Sequence, residues 1–161
     1  MPSADTAAPA NAPAQSQPTG QSQLPHNLEA EKSVLAACML NTDAAEDLVV
    51  RLEPRQFYRP AHGIVFESVH DLITRNIPVD PIALADTLKA KGQLEAVGGR
   101  SYLAELADNT FALTNWSRHA DIVKRTSILR DLVRAAAEIN ALAYDAPDEL
   151  DEVVEEAEKT L

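Results

Sequence analysis

The chain has 161 residues, with 45% hydrophobic but only 4% aromatic side chains and a formal net charge of -11. Ala and Leu supply much of the apolar count, which favours helix-on-helix packing over a sandwich or barrel. The negative charge argues against non-specific nucleic-acid binding as the main task, because phosphate neutralisation needs clustered Lys and Arg. No apolar run approaches the 18 or so residues of a membrane span, and no basic start with an apolar h-region marks a signal peptide.

Residues 1–25 carry five prolines among Ala, Gln, Ser and Thr, with one charge, Asp5, and one sizeable aliphatic, Leu24. Such a segment cannot bury enough surface to offset its ordering entropy, and it is read as a mobile tail. A helical head is expected over 26–110. Asn27 is a good N-cap, with Glu29 and Glu31 in the first turn complementing the helix dipole, and the first helix should run to about Leu40. Cys38 falls in the apolar stretch Val34–Leu40 and reads as a small buried hydrophobe; a lone cysteine excludes a disulfide framework. Asp43 and Glu46 have capping-box spacing ahead of Leu48, Val49 and Leu52, and that helix should stop before Pro54.

Pro60 fits the first turn of a third helix with Val65, Val69, Leu72 and Ile73 on its core face. His62, with Glu67 and His70, reads as surface decoration of that helix. Asp80-Pro81 is the clearest helix start in the chain, followed by Leu84 and Leu88 and stopped by Gly92. Gly98-Gly99 breaks the chain again, and Tyr102, Leu103 and Leu106 predict a short fifth helix ending near Asn109.

Residues 115–144 contain neither Gly nor Pro, yet their periodicity breaks. Trp116, Ala120 and Val123 form one stripe, and Ile128, Leu132, Ala135, Ile139 and Leu142 a second on nearly the opposite side. Either one straight helix is buried on two faces, or the chain turns between about Lys124 and Ser127 into a helical hairpin over 114–144. The hairpin is the preferred reading. A last candidate helix, 148–161, is acidic except for Leu150, Val153, Val154, Ala157 and Leu161, and is marginal in water unless something covers that stripe.

No chemistry is visible. There is no phosphate loop of either glycine-rich kind, the four histidines lack metal-ligand spacing, and no serine or acid pair has a catalytic context. A hairpin can bury only one side of each helix against its mate, while Leu129, Val133 and Ala136 form a further apolar row. That surplus invites another subunit.

From Pro25-His26-Asn27-Leu28-Glu29-Ala30-Glu31-Lys32-Ser33-Val34-Leu35 onward the chain resembles the N-terminal domain of the DnaB-type bacterial replicative helicase family. The likeness continues through Phe57-Tyr58, Pro60-Ala61-His62, Ile77-Pro78-Val79-Asp80, Gly92-Gln93-Leu94, Val97-Gly98-Gly99, Tyr102–Leu106 and Ala120–Val123. It implies an all-α fold, a helical head followed by a hairpin and the start of a linker helix. It further implies dimers within a hexameric collar, with the subunit interface on Ile128, Leu129, Leu132, Val133, Ala136 and Ile139. Primase would contact Tyr102, Val133 and Ile139, and Leu150, Val153, Val154, Ala157 and Leu161 would dock the linker helix on a neighbour's ATPase domain. A helicase loader is a further expected partner, and DNA would pass through the parent ring in the cytoplasm. These residues hold no cofactor or catalytic group; ATP and Mg belong to the ATPase domain that the resemblance places beyond them. A standalone helical adaptor, or an inhibitor of a helicase collar, is the alternative.

Overall fold

The computed structural model describes residues 23–145 and 150–161, and among them there are helices and 3-10 turns but no strand. The all-α expectation therefore holds; the tail over 1–22 and the start of the acidic segment, 148–149, lie outside the described residues. The helices are α1 (Leu28–Leu40), α2 (Thr42–Arg51), α3 (Pro60–Thr74), α4 (Pro81–Ala90), α5 (Gly99–Ala107), α6 (Trp116–Tyr144) and α7 (Leu150–Thr160).

Local chemistry sets most of these boundaries. Asn27 Oδ1 accepts the Ala30 N–H at 2.9 Å, and Asp80 Oδ1 accepts the Ala83 N–H at 2.7 Å with Pro81 at the first helical position. Both satisfy donors that a helix start leaves orphaned. The cap of α2 differs from expectation. Asn41, not Asp43, takes the Ala44 N–H on its Oδ1 at 3.1 Å, while its own N–H closes α1 on the Ala37 carbonyl. One extended residue thus ends one helix and opens the next. Gly98 adopts φ 109°, where a side chain is strained, and a Cβ there would lie 2.8 Å from Tyr102 Cβ; the reversal into α5 depends on its absence.

Helix α1 lies at the centre, packed against α2, α3, α5 and α6. Nine of its 13 residues are buried, on every side of the helix, as a helix that is apolar nearly all round must be. Leu48, Phe66, Leu72 and Leu103 close the core around it, and Leu84 and Leu88 of α4 extend that core behind α3 and α5. Ala36 and Ala37 are fully buried within it. Cys38 is buried as expected, and burial pushes its thiol well above the ordinary range, which leaves it an inert core residue.

The expected turn at Lys124–Ser127 does not occur, because α6 is one continuous helix of 29 residues. The break in periodicity is a change of packing partner. Ala120, Val123, Ser127 and Arg130 are buried against the head, within an arc of about 80°. Beyond Arg130 the head ends and α7 packs on α6 instead, where Ala135, Ile139 and Leu142 are half-buried. The two helices that pair beyond the head are therefore α6 and α7.

Two polar clamps fix α6 to the head. Arg51 bonds Ser117 Oγ and Asp121 Oδ1, both at 2.8 Å, while Trp116 Nε1 donates to Asp47 at 3.2 Å. Deeper in, Arg130 is buried and donates to the carbonyls of Pro25 at 2.9 Å and Gln56 at 2.6 Å. Pro25, read from sequence as the end of the tail, is thus tied to the head; His26 stacks on Tyr58 with ring centroids 4.2 Å apart.

Candidate subunit and partner interface

The free side of α6 follows from where its two covers lie. Ile128, Leu129, Leu132, Val133 and Ala136 span an arc centred about 170° from the residues that dock on the head. They stay exposed: Ile128 by 51%, Leu132 by 56% and Val133 by 45%. The sixth residue expected there, Ile139, faces α7 and is half-buried. Five expected interface residues therefore share one open surface, and Ile139 borders it.

On α7 the expected apolar stripe is divided. Val153 and Ala157 are half-buried against α6, whereas Leu150, Val154 and Leu161 remain open. The acidic residues occupy the rest of the helix surface, with Lys159 bridging Glu155 at 3.0 Å.

The magnitude of the open surface decides what it can do alone. Completing the burial of a half-exposed aliphatic side chain contributes about 1 kcal/mol. Four such residues on each of two copies then supply roughly 8 kcal/mol, comparable to the lower part of the roughly 4–15 kcal/mol cost of association. By this measure the α6 stripe alone offers little surplus for association, and Leu150, Val154 and Leu161 are further exposed apolar area on α7.

Tyr102, the third residue expected to meet a partner, stands on α5 in a setting that the sequence did not reveal. Its hydroxyl lies 2.7 Å from His62 Nε2 and 3.0 Å from Arg59 Nη1, with the Arg59 guanidinium 4.8 Å from the ring centroid. His62 Nδ1 lies 2.6 Å from Glu31 Oε2, and Glu31 Oε1 accepts the Tyr58 N–H at 2.6 Å. His62 is wholly buried, and Glu31 nearly so. Reading His62 as surface decoration is thus corrected: the face it occupies on α3 is roofed by α1 and α5. Likewise Glu31 serves the 58–62 segment, leaving Glu29 as the exposed acid of the first turn. Burial raises the Tyr102 phenol above its ordinary value, opposed in part by Arg59. Among the described residues no group of three or more His, Cys, Asp or Glu side chains is disposed to hold a metal, and no helix is long and apolar enough to cross a membrane.

Comparison with known proteins places this architecture. Residues 23–125 match the model of the DnaB-like helicase N-terminal domain. The chain is 38% identical over 137 residues to the replicative DNA helicase DnaB of Geobacillus stearothermophilus, covering 85% of this chain and 30% of that protein. It is 33% identical over 123 residues to the DnaB of Buchnera aphidicola, covering 76% of this chain and 27% of the relative. The chain thus spans less than a third of the length of these curated relatives. Among solved structures, the N-terminal domain of DnaB helicase from Mycobacterium tuberculosis superposes with a TM-score of 0.81 at 36% identity, over 86% of this chain and 97% of that one. The N-terminal domain of the Helicobacter pylori DnaB helicase, described together with its interactions with primase, gives a TM-score of 0.62 at 25% identity, over 71% of this chain and 89% of that one.

Proposed function

Because the chain belongs to the DnaB-like helicase N-terminal domain family, we propose that it is the collar of a replicative helicase, joining subunits and receiving primase. The parent chain unwinds DNA at the fork, with ATP and Mg handled by an ATPase domain beyond the residues described here, while DNA passes through the ring. The residues present supply protein contacts and no catalytic group. A helicase loader is a further partner in this reading, and the cytoplasm is its setting.

One observation carries the reading: a coherent apolar surface on α6, left open on the side away from the head. A second copy is its occupant, since a two-fold pairing would cover the same residues on both chains. Primase enters through the Helicobacter pylori relative, whose description names that interaction, with Tyr102, Val133 and Ile139 as the contact residues. Leu150, Val154 and Leu161 remain available on α7 to dock a neighbouring subunit, in its ATPase domain or its hairpin.

Replacing Leu132 by Asp tests the subunit contact. Leu132 is more than half exposed, so the fold should keep its helical spectrum and melting temperature, while self-association weakens at least about tenfold because a charge enters an apolar contact. Sedimentation of both proteins over a concentration series reads this directly. An unchanged association constant with an intact fold removes α6 from the subunit interface.

A further inference from the structure

The hydrogen-bond chain through Glu31, His62 and Tyr102 runs from the buried core to a half-buried side chain. Buried ionic and polar groups of this kind are commonly replaceable by apolar residues of equal volume without loss of stability. What such a chain does supply is direction, and here the direction is fixed by valence.

A carboxylate only accepts, so the 2.6 Å contact with Glu31 places a proton on His62 Nδ1. In the neutral ring Nε2 is then an acceptor, and the hydrogen that fills it at 2.7 Å is that of the Tyr102 hydroxyl. Arg59 only donates, and it occupies one lone pair of the same oxygen at 3.0 Å. The Tyr102 proton is therefore committed inward, and one oxygen lone pair is left over. Protonation of His62 reverses this. Nε2–H becomes a donor, Tyr102 Oη accepts from both His62 and Arg59, and its O–H is released outward.

We propose that Glu31 and His62 are positioning residues that act through Tyr102, setting whether its hydroxyl donates to an acidic group of primase. This rests on the assignment of Tyr102 to the primase contact. Tyr102 is only half-buried, so its open edge is within reach of a partner. Arg59 beside it makes no ion pair with a carboxylate among the described residues, which suits an acceptor on the incoming chain. The charged groups facing the relay are Glu31 from α1, Arg59 at the start of α3, and Lys32 and Glu105 flanking the phenol. With His62 neutral, the free lone pair of Tyr102 opposes a carboxylate. With His62 protonated, O–H and guanidinium together receive it.

The test is a binding titration of intact primase against this chain and its Tyr102→Phe and Tyr102→Ala variants, from about pH 8 to about pH 6, where histidine changes charge. Wild-type affinity should tighten about fivefold across that range, the equivalent of one added hydrogen bond, and Tyr102→Phe should lose that slope while keeping the ring contact. Nitrogen NMR of His62 should show a proton on Nδ1 in the neutral form and an Nε2 resonance that moves in Tyr102→Phe. If Tyr102→Ala binds primase as wild type does, the contact assignment fails. If Tyr102→Ala weakens binding but Tyr102→Phe retains the full pH slope, or neutral His62 carries its proton on Nε2, the positioning role is overturned and the contact assignment stands.

Discussion

Arg130→Ala is the substitution that tests most sharply how α6 is held to the head. The guanidinium is 3% exposed, donates to two carbonyls and lies 5.6 Å from the centre of the Tyr58 ring. No carboxylate among the described residues pairs with it. Each charge-assisted bond contributes about 1.5–3 kcal/mol and the ring about 1 kcal/mol, so the gross gain is roughly 4–7 kcal/mol. Burying an unpaired guanidinium offsets several kcal/mol of that. Truncation removes this cost too, but it leaves the Gln56 carbonyl without its donor and empties the space of the side-chain stem. The balance predicts a net loss of about 3 kcal/mol, or roughly 10 °C in melting temperature for a domain of this size.

Urea unfolding followed by circular dichroism measures the loss. Arg130→Lys should recover part of it, since one ammonium cannot serve both carbonyls at the guanidinium spacing, and Arg130→Met should recover only the packing of the stem. Hydrogen exchange should accelerate in the first half of α6 and at residues 23–27, with α4 unaffected. A loss below about 0.5 kcal/mol for Arg130→Ala, or a Met variant as stable as wild type, would show that desolvation cancels the two bonds and that apolar packing alone seats the helix.

Gly98→Ala should destabilise the domain by about 2 kcal/mol or more, because the left-handed φ and the 2.8 Å approach to Tyr102 Cβ act together. Gly92→Ala meets open space at φ 67° and should cost only about 1 kcal/mol, so equal losses in thermal melts would refute the steric part of the argument. The bond from Lys91 chiefly holds the Asp71 carboxyl below its ordinary value of 3.8, helped by the nearby charges of Lys91, Arg75 and His70 and opposed by desolvation. Its stabilisation is therefore complete above that ordinary value and disappears as pH falls through the lowered one. Asp71→Asn should lie slightly below wild type in stability at neutral pH and converge with it in acid. The gap should shrink in high salt because the pair is exposed; a gap that is constant with pH would remove the ion pair as its cause.

The parts of this fold that the sequence specified are those whose chemistry closes within a few residues. Asn27 and Asp80 each bond a backbone N–H three residues on, Pro81 can only begin a helix, and Gly98 alone tolerates its φ. Composition made the all-α class legible before any coordinates, and the apolar row of Leu129, Val133 and Ala136, which the structure leaves exposed, was legible as surplus on α6. Asn41 shows the limit even of local reasoning, since two neighbouring side chains could cap α2 and the geometry of the bend after α1 chose between them. His62 and Glu31 could not be read at all. On isolated helices both are polar residues that water would solvate, and only the convergence of α1, α3 and α5 buries them and completes their hydrogen bonds.

The phase break in 115–144 is the clearest division between the two kinds of information. Sequence periodicity correctly recorded that the buried face changes along the segment, but it could not say whether the chain or the partner changed. The tertiary structure decided for the partner: the head covers α6 as far as Arg130 and α7 covers it beyond. Capping is a sum over neighbours in the chain, whereas burial is a sum over neighbours in space, and the second is defined only when every helix is in place.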